Sequence, residues 1–207
     1  AEPLFRSHNL AIARELKAAG CNWRWTPILD LPHRLAGTSV GRSYSDDAET
    51  LTRLSIAHMK GIQSVGVAAT AKHFPGADPY DTRDTHIVTA SLNQSFEEWE
   101  QTQAKPFQAM IDAGVMTVMI GHGAFPAVDD RKLNGRYLPA TMSDRVINGL
   151  LREKMGFRGV VITDAITMGG ITAMCPYDEM LVRAINAGND IILGVNPLDL
   201  DTVYEAV

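Results

Sequence analysis

Cysteine is nearly absent from this chain. Cys21 and Cys175 are the only two in 207 residues, too few and too far apart for a disulfide framework, and both are read as reduced and structural. No apolar run approaches the roughly 20 residues that span a bilayer, so no membrane partner is expected. Neither sign of charge dominates: 19 Lys and Arg against 24 Asp and Glu give a formal net charge of -5, which argues against general nucleic-acid binding. A glycine-rich phosphate loop between strand and helix is missing, which lowers the nucleotide-binding reading. There is no linker and no low-complexity segment. Ala1 to Gly20 carries polar residues throughout, so this stretch is not expected to be a signal peptide. The start lacks Met, which suggests processing or trimming. The expected compartment is cytoplasmic, with secretion or the cell surface as the alternative if an upstream signal has been removed.

What is present suffices for one sizeable core. Hydrophobic residues make up 45% and charged residues 21%, the balance of an ordinary globular protein. Helix-like and strand-like segments alternate. Helical spacing runs from His8 to Ala19, from Asp46 to Ser64, from Ser95 to Asp112, from Ser143 to Met155 and from Tyr177 to Ala187. Ser95 with Glu98 forms a capping box, and Ser143 is the expected N-cap of its helix. Strands are expected over Trp25 to Leu29, Val65 to Ala71, Val115 to Ile120 and Gly159 to Thr163, with another starting at Asp190 to Leu193. Several are continuous apolar runs, as parallel strands covered on both faces require. A doubly wound sheet and a (β/α)8 barrel both fit this order.

Polar groups stand where the strands stop. Asp30, then Lys72 with His73, then His122, then Asp164 follow successive apolar runs. In a parallel barrel those ends share one face, where active sites form. A single Asp there is often a helix cap instead. Against that reading of Asp164, the segment after it, Ala165 to Gly170, is a weak helix start. Asp164 can therefore serve as nucleophile, general base or metal ligand. In the long loop after Lys72-His73, Asp84 lies two residues from His86, close enough for the carboxylate to orient the imidazole as a proton shuttle; Asp81 is an alternative partner. Arg42 can clamp a substrate oxygen or pair with Asp46 or Asp47. Met168 is read as core or pocket wall.

Taken together, Pro27-Ile28-Leu29-Asp30, Gly41-Arg42-Ser43-Tyr44, Lys72-His73-Phe74-Pro75-Gly76, Asp84-Thr85-His86, Val118-Met119-Ile120-Gly121-His122 and Gly156 to Asp164 resemble, in order and spacing, the catalytic domain of glycoside hydrolase family 3, in its β-N-acetylglucosaminidase branch. The resemblance implies a (β/α)8 barrel of the TIM type. It implies Asp164 as the nucleophile of a retaining mechanism, His86 as acid/base and Asp84 as its orienting carboxylate. It also implies Arg42, Lys72 and His73 at sugar-binding positions, with His122 and Met168 placed beside them. The substrate would be a small carbohydrate with terminal β-linked N-acetylglucosamine, from peptidoglycan or chitin, and no cofactor or metal is expected. About five strands cannot close an eight-stranded barrel, so residues 1–207 are expected to form part of one, the first strands and the C-terminal end lying outside and the remainder coming from upstream and downstream residues. Other readings are phosphorolysis or β-glucoside hydrolysis within the family, a non-catalytic sugar-binding fragment, and a metal-dependent barrel hydrolase using His73, His86, His122 and Asp164.

Overall fold

The computed structural model describes residues 1–32, 41–78, 81 and 83–204. Its centre is a parallel sheet of strands β1 (Trp23–Arg24), β2 (Ala68–Phe74), β3 (Thr117–Ile120) and β6 (Val160–Thr163), neighbours in that order. Parallel neighbours taken in chain order, joined through helices, are the repeating step of a β/α barrel. The sheet is thus a partial TIM-barrel-type α/β fold. The register sets Thr70 beside Thr117 and Thr117 beside Val160. Trp23 Nε1 donates toward Thr70 Oγ1 and Thr117 Oγ1 at 2.9 and 3.0 Å, which ties three strands together at their starts.

The connecting helices follow the sequence pattern with local shifts. Helix α1 (Glu2–Ala18) begins earlier than the spacing predicts, with Pro3 in its first turn. Helix α2 (Ala48–Gln63) is capped by the Asp47 carboxylate, which accepts from Thr50 N at 2.8 Å. The two helices pack closely at Gly61, where a Cβ would lie 2.5 Å from Arg6 O. The expected helix from Ser95 to Asp112 is two: α3 (Phe96–Gln101), with its capping box, and α4 (Ala104–Asp112). The break falls next to Gln103, whose buried amide bridges Leu31 and the carbonyl of Ala77, so tertiary hydrogen bonds override helical propensity. The helix over Arg145–Lys154 is of the wide π type, and Ser143 Oγ accepts from Val146 N at 3.2 Å. Helices α5 (Gly169–Thr172), α6 (Tyr177–Asn186) and α7 (Leu200–Tyr204) follow β6.

Three strand expectations need correction. β2 starts later than Val65 and extends past Ala71, through Lys72 and His73 to Phe74. The first strand lies earlier than expected: β1 is Trp23–Arg24, and over the expected Trp25 to Leu29 the pairing is irregular, with Thr70 N donating to Thr26 O and Ile28 bridging Lys72. The segment at Ile191 joins β6 through a bridge to Ile162 rather than a full ladder. A hairpin of β4 (Lys132–Leu133) and β5 (Arg136–Tyr137) was not expected, although its Asn134-Gly135 turn, with both φ angles positive, is a strong hairpin signal.

The main core lies between the sheet and α2, α4 and the wide helix, and it includes Phe74, Trp99, Phe107, Val118, Ile147 and Leu151. Phe74 is fully buried, with Phe107 and Trp99 edge-on at 5.2 and 6.1 Å. Phe74→Ala is expected to cost about 3–5 kcal/mol, read as a lower urea midpoint at unchanged slope.

Candidate active site

The C-terminal ends of β2, β3 and β6 bring the chemistry together. Asp30, on the stretch that rejoins the sheet at Ile28, is buried. Its carboxylate accepts from His73 N at 3.0 Å and pairs with His73 Nδ1 at 2.8 Å. Burial opposes its ionisation, but the charge and hydrogen bonds of His73 prevail and hold the carboxyl below its ordinary pKa. With Nδ1 committed to Asp30, His73 turns Nε2 toward Asp164, whose Oδ2 lies 3.7 Å away. The other Asp164 oxygen accepts from Ala165 N at 2.8 Å, and its backbone N donates to Ile120 O at 2.9 Å. One carboxylate oxygen of Asp164 is therefore held by its own turn, while the other faces the site.

Lys72 is half-buried. Burial pushes its ammonium below the ordinary pKa, Asp164 opposes that shift, Arg42 reinforces it, and Asp30 opposes it. Arg42 also lowers the pKa of Asp30 and Asp84, so its charge reaches each of these groups although its side chain is exposed. The turn that carries Arg42 is anchored next door. Tyr44 Oη and Thr26 Oγ1 bracket the His58 ring at 2.5 and 2.8 Å. Burial, with Arg24 and His8 nearby, lowers the His58 pKa to about 3, so this ring is a neutral strut at ordinary pH.

The Asp84–His86 pair is formed: Asp84 Oδ1 lies 2.7 Å from His86 Nδ1 and accepts from His86 N at 2.9 Å. The backbone bond from His86 is the largest influence holding Asp84 below the ordinary carboxylate pKa. Asp81 is not the partner. It is engaged by the Arg83 guanidinium at 2.5 Å and by Ser91 N. Pairing through Nδ1 leaves His86 Nε2 facing outward, and the ring is 56% exposed, so that nitrogen can reach a substrate.

The resemblance placed His122 and Met168 beside the sugar-binding positions, and the structure sets both in buried surroundings. His122 is buried, and both ring nitrogens are engaged by the protein: Nε2 lies 2.9 Å from Ala165 O and Nδ1 lies 2.7 Å from Thr141 Oγ1. Burial lowers its pKa. A neutral ring can donate to the Ala165 carbonyl only from Nε2, which makes His122 a brace for the Asp164 turn and leaves no nitrogen for a ligand. Met168 is buried and caps the start of α5. His58 and Thr141 were not singled out from the sequence; Asp30 was, as a carboxylate at a strand end, but without a role. Among the described residues no group of three or more His, Cys, Asp or Glu side chains could hold a metal ion, and no helix is long and apolar enough to cross a membrane.

Residues 4–207 match the model of the glycosyl hydrolase family 3 N terminal domain. A β-N-acetylglucosaminidase/β-glucosidase of Cellulomonas fimi is 37% identical over 202 residues, covering 93% of this chain and 35% of its own length. A solved family 3 β-N-acetylglucosaminidase from Paenibacillus superposes with a TM-score of 0.92 at 36% identity, covering all of this chain and 39% of its own. A solved β-glucoside phosphorylase superposes with a TM-score of 0.91 at 31% identity, covering all of this chain and 38% of its own. The chain thus spans little more than a third of each of these relatives.

Proposed function

The chain belongs to glycoside hydrolase family 3, and from that membership we propose that the protein is a retaining, exo-acting β-N-acetylglucosaminidase that removes terminal β-linked N-acetylglucosamine. The observation that carries this reading is the Asp84–His86 pair, at 2.7 Å, on a loop separate from Asp164. A retaining glycosidase needs one nucleophile and one group that first gives and then takes a proton. Asp164, with one oxygen fixed by Ala165 N, attacks the anomeric carbon through the other and forms a glycosyl ester. His86 Nε2–H protonates the departing oxygen, and the neutral imidazole then takes a proton from the incoming water. Asp84 stabilises the imidazolium that gives its proton in the first step and re-forms in the second. Arg42, Lys72 and His73 hold sugar hydroxyls, and the Asp30 carboxylate keeps His73 in the tautomer that sends Nε2 toward the ring.

Phosphorolysis is a second reading, favoured by one specific observation. The proton-transfer group is a histidine rather than a second carboxylate, so an approaching phosphate meets less negative charge, and one close structural relative is a phosphorylase. One experiment separates the two. The full-length protein is given an aryl β-N-acetylglucosaminide, with and without inorganic phosphate, and products are followed by NMR. Hydrolysis yields the β-anomer of free N-acetylglucosamine first, at a rate indifferent to phosphate. A sugar phosphate appearing in proportion to phosphate would establish the second reading. A faster reaction on the matching glucoside would remove the N-acetyl specificity.

A further inference from the structure

The short segment that follows Asp164 also holds the loop that bears His86. Gly169 N donates to His86 O at 2.8 Å, and Gly170 N donates to Thr85 O at 2.9 Å. The Thr89 hydroxyl donates to Gly170 O at 2.9 Å. Neither glycine leaves room for a side chain. A Cβ on Gly169 would lie 2.4 Å from Ile87 O and 3.0 Å from His86 O; one on Gly170 would lie 2.5 Å from Thr85 O and 2.9 Å from Val88 O. All four are backbone atoms, which cannot swing aside as a flexible side-chain tip would. Neither glycine has a positive φ, so what these positions require is space and not an unusual backbone.

The far end of the loop is held separately, by backbone bonds of Ala90 and Leu92 with Ala124. Ile87 is 71% exposed and the His86 ring 56%, so apolar burial contributes little, and the backbone bonds to Gly169 and Gly170 fix its height above the sheet. The other end of the same segment is equally anchored: Asp164 N bonds Ile120 O, and the Ala165 carbonyl meets the His122 ring. We propose that Gly169, Gly170 and Thr89 are positioning residues that dock the Asp84–His86 pair onto the segment carrying Asp164, so that one continuous stretch of backbone sets the distance between proton shuttle and nucleophile. This rests on the glycosidase reading above. It matters because a general acid works only within hydrogen-bond reach of the oxygen it protonates, and a displacement of about 1 Å costs about 100-fold.

The test compares two substrates in the full-length protein: an alkyl β-N-acetylglucosaminide, whose leaving group must be protonated, and a dinitrophenyl one, whose leaving group need not be. Gly170→Ala is expected to lower kcat/KM about 100-fold for the alkyl substrate and far less for the dinitrophenyl one. Thr89→Val should shift the ratio in the same direction more weakly, and Thr89→Ser, which keeps the hydroxyl, should restore it. Thr89 is partly buried at the loop's edge, so these two variants keep the test alive if Gly170→Ala does not fold. Equal losses on both substrates, no loss on either, or no recovery in Thr89→Ser would overturn the docking role. His86→Ala, run in parallel, tells the two failures apart. If His86→Ala discriminates between the substrates and Gly170→Ala does not, the dock alone is wrong. If His86→Ala does not discriminate, the acid/base reading fails and the dock falls with it.

Discussion

Asp164→Asn in the full-length protein is expected to reduce kcat/KM for an aryl β-N-acetylglucosaminide by about 10⁴-fold, a barrier increase of about 5.5 kcal/mol. Asparagine is the informative substitution. Its side-chain oxygen can still accept from Ala165 N, the bond that Asp164 Oδ1 makes at 2.8 Å, so the turn keeps its shape and the fold its stability. What is lost is the charge on the second oxygen, which faces His73 Nε2 at 3.7 Å, and with it the ability to form a glycosyl ester. Asp164→Ala should be equally inactive and slightly less stable, because Ala165 N loses its acceptor. A fluorinated N-acetylglucosaminide that slows the second step should add one sugar mass to the wild-type peptide containing Asp164 and none to the Asn variant. Activity within tenfold of wild type, or an adduct on any other residue, would remove Asp164 from the nucleophile's role.

That the strand-end position of Asp164 was legible before the fold was known, and the surroundings of His122 were not, has a physical cause. Asp164 ends a run of buried apolar residues, and the weak helix start that follows it set it apart from an ordinary cap. His122 ends a similar run, but its destination depended on Thr141 and on the Ala165 carbonyl, both distant in sequence, and those two partners consume its nitrogens. Strand ends can be read from composition; the fate of a side chain at a strand end is decided across strands. Lys72 and His73 show the same limit in another form. Their motif was plain, but their place inside β2 depends on Ile28 and Leu29 pairing with Lys72, a contact between segments far apart in the chain. Gln103 interrupts a helix that its own neighbourhood favours, because the backbone of Leu31 and Ala77 needs an amide there. The Asn134-Gly135 hairpin is the opposite case, a local signal that sufficed by itself and lay between the apolar runs on which the strand reading rested.

The largest substrate-dependent effect is expected from His86→Ala. For an alkyl β-N-acetylglucosaminide kcat/KM should fall about 10³-fold, within the usual contribution of a positioned general acid. For a dinitrophenyl glycoside the fall should be slight, since that leaving group departs as a stable anion. The two substrates share the sugar, so contacts made by Arg42, Lys72 and His73 cancel in the ratio, and what remains reports proton transfer to the leaving oxygen. A second consequence concerns the step after bond cleavage. Without the imidazole, water attacking the glycosyl ester has no base, so the ester accumulates and kcat for the dinitrophenyl substrate drops even where kcat/KM does not. Added azide, which needs no base, should then restore turnover and give a β-glycosyl azide. Asp84→Asn separates orientation from proton transfer. Its amide oxygen can still accept from His86 N, as Asp84 Oδ1 does at 2.9 Å, but it no longer balances the imidazolium that gives its proton in the first step and re-forms in the second. The Asn variant should therefore lie between wild type and His86→Ala on the alkyl substrate and show no azide rescue, because its base is still present. Should azide rescue Asp84→Asn as fully as His86→Ala, the carboxylate and not the ring would be the group that handles the proton.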